Sequence, residues 1–215
     1  MAPALSVIMD RTMIPTDSAV IFDLDGTLTR PYLDFDAIRA EIGLPPGPIL
    51  ESIAALDPSA RDRATAILER HEWDAAEHAA LQDGAMETTA ACRASGMPVA
   101  VLTRNSRRVV DHFIAVHGFT FDAIRTRDDG PIKPSPQPVL SICRQVGADP
   151  RRSWVVGDFL FDLQCGRAAG THTVLMVGDG PIPEFSGQAD HVIHALFELL
   201  PILNNHRVDH PGPVR

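Results

Sequence analysis

Six short apolar runs recur along the chain and alternate with segments of helical periodicity. Within each run the apolar residues are largely continuous rather than alternating with polar ones, as strands buried on both faces of a sheet require. Parallel strands also need a helix between them to return the chain to the same edge of the sheet. The strands are predicted over 19–22, 98–102, 122–125, 154–156, 173–177 and 191–193. The pattern therefore predicts an α/β fold with a doubly wound parallel sheet.

Helices are predicted in the segments that separate the later strands. They cover residues 84–95, 106–117, 136–146, 161–169 and 195–203. The middle three end near Gly118, Gly147 and Gly170, and glycine is a common residue at the end of a helix. The helices and strands together predict a core of alternating units.

The segment between the first and second predicted strands is much longer than the others. It spans residues 23–97, far more than one crossover helix needs. Its central part has helical patterns over 34–42, 48–56 and 59–80. An insertion after the first strand lies above the carboxyl end of the sheet, where open α/β folds bind ligands. We therefore predict a core of residues 1–29 and 82–215 and a small, all-helical cap of residues 30–81.

Composition excludes several classes of partner. The net charge is −9, and the basic stripe that nucleic-acid binding requires is missing. The apolar runs are too short for a membrane span, and residues 1–18 do not resemble a secretory signal. We expect a cytoplasmic protein that binds neither nucleic acid nor membrane and that is a monomer or a homodimer. The three cysteines, Cys92, Cys143 and Cys165, are expected to be reduced thiols.

Two aspartates follow the first predicted strand directly, in the stretch AVIFDLDGTLT. These are Asp23 and Asp25, and Gly26 allows a sharp turn behind them. A simple turn that contains two aspartates is one interpretation. A calcium loop of the EF-hand type does not fit, because Leu28 and Asp34 occupy its glycine and glutamate positions. Two carboxylates held close together require a cation or a shared proton, and an all-oxygen site of this kind suits Mg²⁺.

Polar residues with matching chemistry follow the other predicted strands. Thr103 and Asn105 come after the second strand, where hydroxyl and backbone N–H groups can hold phosphate oxygens, although helix capping also explains them. Lys133 is the only lysine beside eighteen arginines and lies in the proline-bracketed loop PIKPSP. A compact ammonium in a stiff loop favours a contact with phosphate and carboxylate. Asp158 follows the fourth strand and could complete a metal site, whereas Asp162, one helical turn further, could orient Lys133 or bind the metal through water.

The four segments DLDGTLT, LTRN, KPSP and GDFLFDLQCGRAAG, in this order, resemble the motifs of the haloacid dehalogenase-like hydrolase superfamily, which has a Rossmann-like core. The branch similar to phosphoglycolate phosphatase, with a small helical cap, is the nearest. The resemblance implies a nucleophile at Asp23, a general acid and base at Asp25, and phosphate contacts at Thr103 and Lys133. It also implies a Mg²⁺ site made by Asp23, the backbone carbonyl of Asp25, and Asp158. We place Arg104 and Asn105 with the phosphate contacts, and assign supporting roles to Gly26, Thr27 and Asp162.

This resemblance implies a Mg²⁺-dependent phosphatase that hydrolyses a small phosphorylated metabolite through an aspartyl-phosphate. Alternatives in the same superfamily are a phosphomutase, a pyrophosphatase or a nucleotidase, and a non-catalytic binding protein is a further one. The cap contains no lysine, which excludes the Schiff-base route of phosphonate-cleaving relatives. Phe159 stands where the fourth motif often has serine or threonine, and the cap is shorter than that of phosphoglycolate phosphatases, so the substrate is left open.

Two weaker predictions concern the cap. Arg30, Tyr32 and Phe35 lie just beyond the first motif, where they could line the substrate pocket or pack within the cap. The segment HEWDAAEH, residues 71–78, contains histidines and acidic residues without a metal-ligand spacing. It is interpreted as a solvated helix face.

Overall fold

A six-stranded parallel sheet forms the centre of the structure, a computed structural model that describes residues 17–209. Its strands lie in the order β3-β2-β1-β4-β5-β6. They are β1 (Val20–Phe22), β2 (Val99–Leu102), β3 (Ala123–Arg125), β4 (Trp154–Gly157), β5 (His172–Met176) and β6 (His191–Ile193). Each agrees with a predicted strand to within a few residues. The doubly wound α/β fold is therefore confirmed.

The central strands are apolar along their whole length because both faces of the sheet are covered. Every residue of β1, β2 and β4 is buried. In β1, Val20 and Phe22 belong to one hydrophobic cluster and Ile21 to another on the opposite face. Alternate side chains of one strand thus enter two cores, which is why the sequence shows a continuous apolar run.

Between residues 17 and 209, eight α-helices follow the predicted order. They are α1 (Phe35–Ile42), α2 (Ile49–Ala54), α3 (Pro58–His78), α4 (Ala85–Ala94), α5 (Arg107–His117), α6 (Gln137–Val146), α7 (Leu160–Ala169) and α8 (Leu199–Asp209). Gly118, Gly147 and Gly170 end α5, α6 and α7 in the left-handed conformation, which glycine adopts without strain. The helix expected at 195–203 is a 3-10 turn, Leu196–Glu198, followed by α8.

Helices α1 to α3 lie between β1 and α4 and have a small apolar core of their own, consisting of Ile38, Ile49, Ile53, Ala64 and Leu68. Two chain segments connect them to the sheet, and they run side by side: Thr29 forms an antiparallel bridge with Leu81, and the Arg30 N–H donates to the Ala80 carbonyl at 2.7 Å. The limits of a separate cap, residues 30–81, stay a prediction.

The sheet topology determines where a ligand can bind. From β1 the chain continues to β2 and β3 on one side, whereas β4, β5 and β6 follow on the other. The order of the strands therefore reverses between β1 and β4, and a crevice opens beyond the carboxyl ends of these two strands. Asp23 and Asp158 follow these ends.

Within residues 17–209, each helix lacks the length or the apolar character that crossing a membrane would require. Cys92, Cys143 and Cys165 are buried thiols, in agreement with the expected reduced state.

Candidate active site

Lys133 joins two aspartates at the carboxyl end of the sheet. Its Nζ atom lies 2.7 Å from Asp23 Oδ1 and 2.6 Å from Asp162 Oδ1. Only 3% of the lysine is exposed. Burial by itself lowers the pKa of Lys133, but the charges of Asp162 and Asp23 outweigh burial and raise it. The lysine therefore remains an ammonium group that is shared between two carboxylates.

Local structure holds both carboxylates in place. The Asp23 N–H donates to the Val156 carbonyl at 2.9 Å, so the neighbouring strand β4 fixes this residue directly beyond β1. Asp162 lies in the first turn of α7, where its Oδ2 atom accepts a hydrogen bond from the Phe159 N–H at 3.1 Å. An acidic residue at this position is favourable, because the first N–H groups of a helix are otherwise without partners.

Asp23, Asp158 and Asp162 form a carboxylate cluster. One oxygen atom of each lies within 4.8 Å of the others. Burial raises the pKa of Asp23 to about 7, although Lys133 opposes the shift. Burial and the charge of Asp23 also hold the pKa of Asp158 well above its usual range. Crowded, desolvated carboxylates of this kind are stabilised as anions by a divalent cation, so the donor set fits Mg²⁺.

The turn after β1 fits tightly against this cluster. Gly26 has a φ angle of 77°, in the left-handed region that favours glycine. A Cβ atom at Gly26 would lie 2.2 Å from Asp158 Oδ2. The Thr27 hydroxyl donates to Asp158 Oδ1 at 3.4 Å. Gly26 and Thr27, two of the three residues predicted to be supporting, therefore border or contact the Asp158 carboxylate.

Asp25 lies outside the carboxylate cluster and is held by the loop after β2. Its Oδ2 atom accepts a hydrogen bond from Asn105 Nδ2 at 2.7 Å. The Asn105 N–H in turn donates to Thr103 Oγ1 at 3.1 Å. Burial raises the pKa of Asp25, and the hydrogen bond from Asn105 opposes this shift. A carboxyl group with a raised pKa and a fixed orientation is suited to proton transfer.

The predicted site residues lie together, but the Arg104 side chain has other partners. Its guanidinium is 2.6 Å from Glu51 Oε2 and donates to the Lys133 carbonyl at 2.8 Å. It also lies over the Phe161 ring, 4.9 Å from the centroid. Arg104 thus connects the core to α2 while it lines the cavity described below, and its contact with phosphate stays a prediction.

A cavity of about 520 Å³ opens above these groups. We call its base, formed by Asp23, Asp25, Lys133, Asp158 and Asp162, the acidic floor. We call its hydrophobic lining, formed by Tyr32, Leu33, Phe35, Ile49, Leu50, Leu68, Phe159 and Phe161, the apolar wall. Lining the pocket was one of the two alternatives for Tyr32 and Phe35, and both border this cavity. Arg30 is absent from the lining and instead pairs with Asp83 and Asp179.

Sequence reasoning missed the buried ion pair beside the cavity. Glu72 is only 4% exposed, and both of its carboxylate oxygens lie 2.7 Å from Arg127 Nη1. Burial raises the pKa of Glu72 to about 8, although Arg127 opposes the shift. The interpretation of residues 71–78 as a solvated face is therefore wrong for Glu72 and for Trp73, whose ring stacks on His112 at 3.8 Å. In the sequence, the one indication that this helix face is packed was Trp73, a large aromatic residue in a charged segment.

The second missed contact fixes the turn that follows Asp23 and Asp25. Gln82 is buried, and its Nε2 atom donates to the Gly26 carbonyl at 3.3 Å. The Gln82 N–H also donates to the Leu28 carbonyl at 2.9 Å. The chain that returns from α3 therefore stabilises the loop that carries Asp25. The sequence does not indicate this contact, because Gln82 and Gly26 are 56 positions apart.

Comparison with known proteins identifies the family. A family model described as haloacid dehalogenase-like hydrolase matches residues 18–170. The N-acetylmuramic acid 6-phosphate phosphatase of Pseudomonas aeruginosa is 34% identical over 72% of this chain and 79% of its own length. The phosphoglycolate phosphatase of Chromobacterium violaceum is 28% identical over 87% of this chain and 96% of its own length.

A solved structure agrees with this assignment at the level of the fold. A HAD hydrolase of family IA, variant 3, from Entamoeba histolytica superposes with a TM-score of 0.72. It shares 18% identity and is matched over 88% of this chain and 99% of its own. The Asp23–Lys133–Asp162 arrangement at the end of a parallel sheet lies within the matched residues. The chain therefore belongs to the haloacid dehalogenase-like hydrolases and is a phosphatase similar to phosphoglycolate phosphatase.

Proposed function

We propose that the protein is a Mg²⁺-dependent phosphatase that transfers the phosphoryl group of a small metabolite to Asp23 and then to water. The observation that carries this proposal is the position of Asp23. Its carboxylate lies at the base of the cavity, directly beyond β1, and is bonded to Lys133 at 2.7 Å. A buried carboxylate that faces a substrate-sized space beside a fixed cation is suited to attack on phosphorus.

The first step breaks the bond between phosphorus and the leaving oxygen. An oxygen atom of Asp23 attacks phosphorus and forms an acyl phosphate, while Asp25 gives its proton to the leaving oxygen and an alcohol departs. In the second step Asp25 takes a proton from water, and the resulting hydroxide attacks phosphorus. Inorganic phosphate leaves, and Asp23 is a free carboxylate again. Asn105 holds Asp25 in one orientation for both proton transfers.

Charge stabilisation comes from the floor of the cavity. The Thr103 hydroxyl and the Lys133 ammonium are assigned to the phosphoryl oxygens, since both lie where the substrate phosphate would rest. Asp23, the Asp25 backbone carbonyl and Asp158 would hold Mg²⁺, while Asp162 orients Lys133. When bound, the ion supplies positive charge that offsets both the carboxylates and the phosphoryl group.

Hydrolysis is favoured over phosphoryl transfer to a second substrate, as in a mutase, because the cavity is open to water. Tyr32 is 47% exposed, Phe35 is 50% exposed, and Phe159 is 51% exposed. These three residues border the cavity. A mutase would need to keep water from the acyl phosphate.

The proposal is tested by phosphate release from a panel of phosphate monoesters, with and without Mg²⁺. Asp23→Asn should abolish turnover, because the amide is a poor nucleophile. Asp25→Asn should slow both steps; with an aryl phosphate, whose leaving oxygen needs no proton, it should accumulate the phosphorylated enzyme, detected by mass spectrometry on the peptide that contains Asp23. Mg²⁺ should also raise the melting temperature, because the ion binds the folded state.

The matched control is Asp62→Asn, which changes an exposed aspartate on α3. This variant should retain full activity. Turnover by Asp23→Asn at the rate of the unaltered protein would contradict the assignment of the nucleophile.

A further inference from the structure

Above the acidic floor, the cavity is bordered mainly by hydrophobic side chains. Helix α2 contributes Ile49 and Leu50, and α3 contributes Leu68. On the core side, the rings of Phe159 and Phe161 pack edge to face, with centroids 5.1 Å apart. The surface that a leaving group would meet is therefore largely apolar.

Part of this apolar wall is exposed to solvent. In the described residues, eight large hydrophobic side chains are strongly exposed: Tyr32, Phe35, Met86, Val116, Phe159, Ile182, Val192 and Phe197. Three of these eight, Tyr32, Phe35 and Phe159, border this cavity. Exposed aromatic rings gathered around a pocket indicate a surface that becomes buried when a ligand binds.

The arginines beside the wall already have protein partners. Arg39 Nη2 lies 2.5 Å from Asp36 Oδ1, and its Nη1 donates to the Gly47 carbonyl at 3.2 Å. Arg104 is paired with Glu51 and the Lys133 carbonyl, as described above. A carboxylate or a second phosphate on the substrate would have to break one of these contacts. Because these contacts are already made, an anionic leaving group gains less from these arginines than it would from an unpaired cation.

The third charged group beside the wall has the opposite sign. Glu72 borders the cavity, is only 4% exposed and is engaged on both oxygens by Arg127. Glu72 therefore offers an anionic leaving group no positive charge, and the Arg127 guanidinium is already bound to both of its oxygens. Together with the paired arginines, it leaves an anionic leaving group without an available cation above the floor, within the part of the chain that the structure describes.

From these observations we infer that the preferred substrates are phosphate monoesters of uncharged, bulky and apolar alcohols. The phosphate binds at the acidic floor, and the leaving group packs against the apolar wall. Carboxylated esters, such as phosphoglycolate, and bisphosphates are disfavoured. This inference rests on the proposed function and adds the chemical class of the leaving group. The cavity of about 520 Å³ exceeds what a phosphate alone fills, so it has room for a group of aromatic-ring size.

The test compares three esters of primary alcohols: methyl phosphate, benzyl phosphate and para-carboxybenzyl phosphate. The two benzyl esters differ by one carboxylate and share the same scissile bond. We expect kcat/KM for benzyl phosphate to exceed that for para-carboxybenzyl phosphate by about tenfold or more. It should exceed that for methyl phosphate by a similar factor, because only the benzyl group reaches the wall.

Two variants locate the effect on the wall. Phe35→Ala and Phe159→Ala each remove a half-exposed ring, so both should fold, which melting temperatures verify. Each should reduce the benzyl-to-methyl ratio of kcat/KM by about fivefold. The control is Val116→Ala, which shortens an exposed side chain near the end of α5, far from the cavity lining. Its ratio should equal that of the unaltered protein.

The outcomes separate this inference from the proposed function. If the enzyme hydrolyses the panel but uses para-carboxybenzyl phosphate as well as benzyl phosphate, the inference about the leaving group is wrong and the phosphatase mechanism stands. The same holds if both wall variants keep the benzyl-to-methyl ratio. If none of the esters is hydrolysed with Mg²⁺ present, the proposed function fails and this inference fails with it.

Discussion

The acidic floor and the apolar wall border the same cavity but differ in nearly every physical property. In the floor, Asp23 and Asp158 directly follow strands that are buried throughout, and the charged groups bond one another, as Lys133 does with Asp23 and Asp162. The wall comes mostly from the insertion after β1, and two of its aromatic residues, Tyr32 and Phe35, are about half exposed. The floor is thus fixed by electrostatics and backbone packing, whereas the wall offers surface without charge.

This difference indicates a division of roles. A reaction at phosphorus needs charges at fixed positions, which a rigid sheet edge can hold. Recognition of a leaving group needs shape and surface, which can vary in the insertion without disturbing the floor. Changes in the floor should therefore alter catalysis and stability together, and changes in the wall should alter the choice of substrate.

The largest effect on stability and turnover is expected from Lys133→Ala. This change leaves Asp23 and Asp162 buried without their cation. Breaking a buried ion pair in this way costs about 3–5 kcal/mol of unfolding free energy, measured by urea denaturation. Turnover should fall by at least about a hundredfold.

The matched control for Lys133 is Arg151→Ala, which removes an ion pair with Asp149 at a side chain that is 84% exposed. The unfolding free energy and turnover of this variant should remain those of the unaltered protein. Equal effects of the two substitutions would show that burial does not distinguish the floor from the surface.

The next largest effect is expected from Gly26→Ala, compared with Gly43→Ala. Both glycines have a positive φ angle, 77° and 83°, so alanine is strained at each by about 1 kcal/mol. Only at Gly26 would the new Cβ atom also collide with Asp158, since Gly43 has nothing within 4 Å. Gly26→Ala should therefore lose activity as well as stability.

Gly43→Ala should lose only a little stability, because it lies at the end of α1, in the insertion. Steady-state kinetics and melting temperatures on both variants provide the measurement. Full activity of Gly26→Ala would show that the turn does not position Asp158.

An effect on stability that depends on pH is expected at the junction of the two regions. Burial raises the pKa of Glu72 from its ordinary value of 4.5 to about 8. Between about pH 4.5 and pH 8 the folded protein therefore keeps the carboxyl proton of Glu72, whereas the unfolded chain releases it. The contribution of Glu72 to stability is fully present below about pH 4.5 and is lost as pH rises to about 8, by at most about 1.4 kcal/mol for each pH unit.

Glu72→Gln should remove this dependence, so its stability relative to the unaltered protein should improve between pH 5 and pH 8. Urea denaturation at several pH values measures the difference. The control is Glu77→Gln, at a side chain on the same helix that is 49% exposed. If Glu72→Gln and Glu77→Gln give parallel pH profiles, the shifted pKa is wrong.

The parts of the fold and site that could be predicted are those that depend on neighbouring residues in the chain. The strand β1 and the aspartates that follow it are adjacent in the sequence, so the apolar run predicts both the strand and the sheet edge where Asp23 lies. The ends of α5, α6 and α7 were likewise predicted from single glycines. The catalytic and metal-binding roles of the floor residues stay predictions.

The contacts that could not be predicted join segments far apart in the chain. Glu72 and Arg127 are 55 positions apart, and Arg104 and Glu51 are 53 apart. A charged helix such as α3 resembles a solvated helix in sequence, because nothing in its own pattern reveals that it packs on α5. For this reason Glu72 was wrongly expected to face solvent.

The sequence by itself determined the fold class, the position of the acidic residues beyond β1 and β4, and the family. These follow from strand burial and from residue order, which are local properties of the chain. Only the tertiary structure decided which charges are neutralised by protein partners and which apolar residues border the cavity. Charge pairing and enclosure depend on distances in space, and chain folding brings together groups such as Arg104 and Glu51 that the sequence keeps apart.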